Sequence, residues 1–89
     1  MTKPLAVITG ASSGIGEATA KAFSAAGYPT LLLARRLERM EALSLPNSMC
    51  RQVDVRNRDE LVAAIREAEA KYGPTDMIFN NAGVARLAD

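Results

Sequence analysis

Leu5-Ala6-Val7-Ile8-Thr9-Gly10-Ala11-Ser12-Ser13-Gly14-Ile15-Gly16 decides how this chain folds. Its apolar opening is short and continuous rather than alternating, the pattern of a strand covered on both faces in a parallel sheet. Uncharged glycines and serines follow, and beyond them the spacing becomes helical. A loop joining such a strand to a helix lies at the carboxyl edge of the sheet, where ligands bind. Gly10 permits the tight turn out of the strand. Gly14 lets a ligand approach the backbone, and Gly16 lets the helix pack closely on the sheet. The helix N-terminus offers free N–H groups and partial positive charge, suited to a pyrophosphate. Ser12 and Ser13 add hydroxyls at the same mouth. A plain turn could use the same residues, but a buried strand before and a helix after are the context that favours a ligand.

Working outward, Pro29 to Ala34 and Met77 to Asn80 read as further buried strands, with Ser48 to Asp54 as a weaker one. A helix is expected from Ile15 to Ala26, with Ile15, Ala18, Ala22 and Ala26 on one face, Glu17 and Lys21 paired on another, and Gly27 as its stop. A shorter helix fits Leu37 to Leu43, ended before Pro46. The third runs from about Arg58 to Tyr72, with Leu61, Ile65, Ala68 and Tyr72 inward. Asn57 and Glu60 form a capping-box variant at its start, and Gly73-Pro74 close it. Strands alternating with helices imply an α/β, doubly wound parallel sheet with helices on both faces. Loops sharing one ligand must lie at one sheet edge, which predicts the strand order third, second, first, fourth.

The other carboxyl-edge loops sharpen the reading. Where a cofactor with a free ribose 2'-hydroxyl would meet Asp or Glu, this chain has Ala34, followed by Arg35 and Arg36. Two arginines before a helix start oppose its dipole, and a bound 2'-phosphate would relieve the mismatch. NADP(H) is therefore favoured over NAD(H), the bland alternative being two solvated arginines. Asp54, at the end of the third strand, could accept from an exocyclic amine such as that of adenine, or serve the loop alone. Asn80-Asn81-Ala82-Gly83 suits a tight turn passing beneath a nucleotide, and its amides could equally tie strands together.

Taken together, these motifs resemble the N-terminal half of a short-chain dehydrogenase/reductase. Thr9 to Gly16 looks like that family's TGxxxGxG loop, Asn80 to Gly83 like its NNAG segment, and Asp54-Val55 like its adenine-contacting pair. The resemblance covers essentially the whole chain and implies a Rossmann-like fold. It implies that Ser12 to Ile15 bind the pyrophosphate and adjacent ribose, and that Arg35 and Arg36 bind the 2'-phosphate. Asp54 and Val55 would flank the adenine, while Asn81, Ala82 and Gly83 line the adenosine side. It also implies an NADP(H)-dependent oxidoreductase acting on a carbonyl or alcohol, and a homo-oligomer at full length. The family's catalytic Ser, Tyr-x-x-x-Lys and further Asn lie beyond its NNAG segment and have no counterpart here. Residues 1–89 are thus expected to be the N-terminal part of one dinucleotide-binding domain, without turnover on their own. A non-catalytic nucleotide-binding or interaction module is the alternative.

Composition agrees with this reading and excludes others. In 89 residues the charges nearly balance, at a net +1, so no electrostatic argument favours nucleic acid or a membrane surface. A single cysteine, Cys50, cannot form an internal disulfide and fits a reducing cytoplasm. No apolar stretch approaches the ~20 residues that span a bilayer. Histidine is absent.

Overall fold

The computed structural model describes residues 3–11, 14–54 and 56–80. Ser12, Ser13, Val55, Asn81, Ala82 and Gly83, all named above, lie outside the described residues. The elements run β1 (Leu5–Thr9), α1 (Gly14–Ala25), β2 (Thr30–Ala34), α2 (Leu37–Glu41), β3 (Ser48–Gln52), α3 (Arg58–Tyr72) and β4 (Thr75–Asn80). All three pairings are parallel, and the sheet order is β3-β2-β1-β4, as the shared-edge argument required. This is the Rossmann-like arrangement.

Period-two geometry divides the apolar side chains between two cores. Leu5 and Val7 of β1, with Leu31 and Leu33 of β2, pack beneath Ala64 and Ala68 of α3. Ile8, Leu32 and Ala34 face the other way, toward Ala20 of α1 and Met40 of α2. Every residue of β1 and β2 is buried, which explains why both read as unbroken apolar runs. Among the described residues β4 is paired on one side only, and its Ile78 and Phe79 remain 59% and 41% exposed.

Several expectations hold in detail. Glu17 and Lys21 pair at 3.1 Å. α1 ends in a Schellman motif: the Gly27 N–H donates to the Ser24 carbonyl and the Tyr28 N–H to that of Phe23. Gly27 itself sits at φ +91°, which favours glycine. The Asn57 side chain accepts from the Glu60 N–H at 3.2 Å and donates to the Glu60 carboxylate at 2.7 Å, so the capping-box variant forms.

Others are corrected. The inward face of α1 is Gly16 and Ala20, with Phe23 packed beside them, whereas Ile15, Ala18, Ala22 and Ala26 are exposed. The reason is steric. Where helix and strand backbones come closest only glycine fits, so Gly16 sets the rotation of the helix and the larger side chains turn outward. α2 stops at Glu41, two residues short of the predicted Leu43. β2 starts at Thr30, one residue after Pro29, and β4 starts two residues before Met77. β3 ends at Gln52, so Asp54 stands beyond the strand rather than at its end. One further ladder bond, from the Val53 N–H to the Ala34 carbonyl, carries the chain past Gln52 before it leaves the sheet.

Candidate functional site

The carboxyl edge gathers one polar group or glycine after each strand. After β1, Gly10 turns at φ +65°. Ala11 then donates its N–H to the Leu33 carbonyl at 3.2 Å, which folds the loop back over β2. A Cβ on Gly16 would lie 2.0 Å from the Gly10 oxygen and 2.7 Å from its carbonyl carbon. Helix and turn therefore meet backbone to backbone, and no side chain can stand between them. Gly14 differs: a Cβ there would meet nothing within 4 Å. Packing among the described residues gives no reason for this glycine, and the space beside it opens at the start of the helix. Ile15, next to it, is 69% exposed.

After β2, Arg35 and Arg36 are exposed, with no hydrogen bond or ion pair to any described residue. Arg36 occupies the N-cap position of α2 without a side-chain capping bond. α2 is only five residues long, so the dipole argument for a bound phosphate carries less weight than the two partnerless guanidinium groups themselves.

After β3, Asp54 does more than the sequence indicated. Its Oδ1 accepts from the Arg56 N–H at 3.0 Å and from Arg56 Nε at 3.1 Å, and its Oδ2 accepts from a terminal nitrogen at 2.9 Å. The first bond is an Asx turn and the other two form a guanidinium fork. Hydrogen bonds from the Arg56 side chain, then from its backbone, with the more distant charge of Arg35, hold the Asp54 carboxyl down to about 2. Arg56 was missed by the sequence reading. The spacing Asp-x-Arg is an Asx-turn signal, but other arginines stood near enough in sequence to compete. Arg51 instead goes to Glu67 of α3 at 2.8 Å.

Asp54 walls two neighbouring clefts. One, of about 330 Å³, is lined by Arg35, Gln52, Val53, Asp54 and Glu60. The other, of about 460 Å³, is lined by Asp54 and residues 56–59. After β4, the Asn80 amide does tie neighbouring strands, but through a side chain rather than through the backbone as expected. The Thr9 hydroxyl lies 3.0 Å from Asn80 Oδ1 and 3.2 Å from the Phe79 carbonyl, clamping the ends of β1 and β4. Cys50 is half-buried against the Met40 cluster, and burial, then Glu41, raises its thiol pKa. Tyr72 packs on the α3 core as expected.

Residues 4–89 match the sequence profile of the short chain dehydrogenases. The chain belongs to that family. It is 40% identical to a farnesol dehydrogenase of Aedes aegypti over 92 aligned positions, covering 96% of this chain and 38% of the relative. Among solved structures, an alcohol dehydrogenase from Thermococcus sibiricus complexed with 5-hydroxy-NADP superposes with a TM-score of 0.74 at 30% identity. That match covers 84% of this chain and 35% of the other. A 3-ketoacyl-(acyl-carrier-protein) reductase from Brucella melitensis complexed with NADH gives 0.78 at 28% identity, covering 86% and 33%. The chain spans 28–38% of the length of the first curated relatives it matches. Among the described residues, no helix is long and apolar enough to cross a membrane.

In this member of the family the described residues of the edge bring three features together. They are a helix start with a glycine facing open space, two arginines with no partner among the described residues, and the ionised carboxylate of Asp54.

Proposed function

We propose that the chain supplies the cofactor-binding part of an NADP(H)-dependent oxidoreductase acting on a carbonyl or alcohol. The observation that carries this reading is the pair of exposed guanidinium groups of Arg35 and Arg36, without a partner among the described residues, at the same sheet edge as the Gly10–Gly16 contact. Family membership supports a nicotinamide cofactor. One structural neighbour carries an NADP derivative and another NADH, so the choice rests on this chain's own residues.

Gly10 and Gly16 shape the turn, and the N–H groups from Gly14 onward with the Ser12 and Ser13 hydroxyls hold the pyrophosphate. Ile15 lies against the nucleotide. Arg35 and Arg36 take the 2'-phosphate. Asp54 accepts from the adenine amine, Val55 flanks the ring, and Asn81, Ala82 and Gly83 line the adenosine side. Bound in this way, the cofactor supplies or takes up hydride at its nicotinamide ring. We infer that residues 1–89 form the N-terminal part of a single dinucleotide-binding domain. The lone thiol of Cys50 suits a reducing, cytoplasmic setting.

The test is Arg35→Asp, with NADPH and NADH titrated against the full chain. Losing a charge-assisted hydrogen bond and gaining repulsion should weaken NADPH by roughly 2–4 kcal/mol, about 30- to 1000-fold. NADH should hold or improve, since the new carboxylate can accept from a ribose hydroxyl. Equal losses for both cofactors would overturn the assignment of Arg35.

A further inference from the structure

We propose that Arg56 is a positioning residue for cofactor choice: by engaging the Asp54 carboxylate, it keeps Arg35 open to the anionic group of the ligand. The proposal rests on the reading of Arg35 as the phosphate-binding residue. Arg35 and Asp54 line one cleft, and a guanidinium that pairs with a carboxylate commonly does so as a fork. Here it does not. Arg35 makes no hydrogen bond or ion pair with any described residue, while its charge is still felt at Asp54.

Occupancy of the carboxylate accounts for this. An ionised carboxylate has about four acceptor positions, and Arg56 fills three with its N–H, Nε and terminal nitrogen, at 3.0, 3.1 and 2.9 Å. One position remains, which is enough for a single amine donor and too few for a second guanidinium fork. The Asx turn fixes the carboxylate's orientation from within its own loop, and the fork comes from a side chain lining the neighbouring cleft. Arg56 has the advantage over Arg35 because the Asx turn already holds its backbone against the carboxylate that its side chain engages. Asp54 is thus held, with its charge balanced, in the place where it would otherwise neutralise Arg35.

Removing the Arg56 side chain leaves only the backbone bond to Asp54. The carboxylate can then turn toward Arg35, and a ligand phosphate must displace it. The experiment measures binding of 2',5'-ADP and 5'-AMP to the full chain by calorimetry, so no catalysis is involved. The variants are Arg35→Ala, Arg56→Ala and the double variant Asp54→Asn/Arg56→Ala. The original chain should prefer 2',5'-ADP, and Arg35→Ala should erase that preference. Arg56→Ala should lower the preference about tenfold, the scale of one charge-assisted hydrogen bond. The double variant should restore it, because the competing carboxylate is gone. A preference that stays low in the double variant would mean that Arg56 touches the phosphate itself and would overturn the proposal. So would an unchanged preference in Arg56→Ala, which leaves the role of Arg35 standing. Absence of any preference in the original chain, or indifference to Arg35→Ala, would remove the underlying reading and the proposal together. The Arg56 side chain is 66% exposed, so folding should survive, and Arg56→Gln repeats the test should the alanine variant unfold.

Discussion

Two turns at one sheet edge are built on opposite principles. Between β1 and α1, the geometry is fixed by atoms that are missing: Gly16 presses against the Gly10 backbone where any Cβ would collide. Between β3 and α3, it is fixed by charge and hydrogen bonds: Asp54 clasps Arg56, and Asn57 clasps Glu60. At Gly16 the first turn should be intolerant of change and, having no titrating group in its contact, insensitive to pH. The second is exposed and should tolerate single changes and respond to pH. The difference matters because both turns border the proposed nucleotide site, one shaping the backbone cradle and the other setting the charges around it.

The largest effect expected is at the steric turn. Gly16→Ala places a methyl group 2.0 Å from the Gly10 carbonyl oxygen. Backbone atoms cannot step aside as a flexible side chain can, so the cost should reach about 3 kcal/mol or more. Thermal unfolding should show it, and nucleotide binding should be lost with it. Gly14→Ala is the control. With nothing within 4 Å of the new methyl group, stability should hold or rise by a few tenths of a kcal/mol, up to about 1. Nucleotide affinity should nevertheless fall, because the proposed site seats the ligand in the space beside Gly14. If the two variants behaved alike, the contrast between a packing glycine and a ligand glycine would collapse.

A middle effect belongs to the polar turn. Asn57→Ala removes the cap on α3 and should cost about 1 kcal/mol. For a chain of this size that lowers Tm by about 4–8 °C. Affinity for the nucleotide should change little, since Asn57 faces Glu60. A loss as large as that of Gly16→Ala would show that the polar turn is as rigidly required as the steric one.

The smallest effect is the pH dependence of Asp54. Its carboxyl is depressed from 3.8 to about 2 in the folded state, so between those values the unfolded chain binds the proton more readily. Stability contributed by the clasp is therefore complete above about pH 4 and lost as pH falls through about 2. Glu67 and Glu69 are lowered too, by their partners Arg51 and Thr75, and their loss adds to acid unfolding. Comparison with Arg56→Ala isolates Asp54: the unfolding curves should differ at neutral pH and converge near pH 2. Exposure of the pair keeps the difference small. Parallel curves over that range would mean that the clasp contributes nothing to stability.

The steric turn was legible in the sequence and the polar turn only in part. A glycine at Gly10, Gly14 or Gly16 has few physical explanations, and their spacing after a buried run singles one out. The same logic gave strand order and both helix caps, because caps and turns depend on residues adjacent in the chain. The rotation of α1 was misjudged because its inward face is chosen by the smallest residue at the closest approach, which apolar periodicity cannot reveal. Asp54 was recognised as an edge carboxylate, but its partner was not. Arg35, Arg51, Arg56 and Arg58 were all candidates by charge, and only the fold sends Arg51 to Glu67 and leaves Arg35 apart.

The central claim is that the loops after β1, β2 and β3 form one dinucleotide site. Backbone amide shifts of the full chain during an NADPH titration test it most directly. The amides of Gly10, Gly14, Gly16, Arg35 and Asp54 should move together with one common Kd, while Gly27, Asn47 and Gly73 at the opposite sheet edge stay still. Shifts confined to one of the three loops, or appearing first at the opposite edge, would contradict the account.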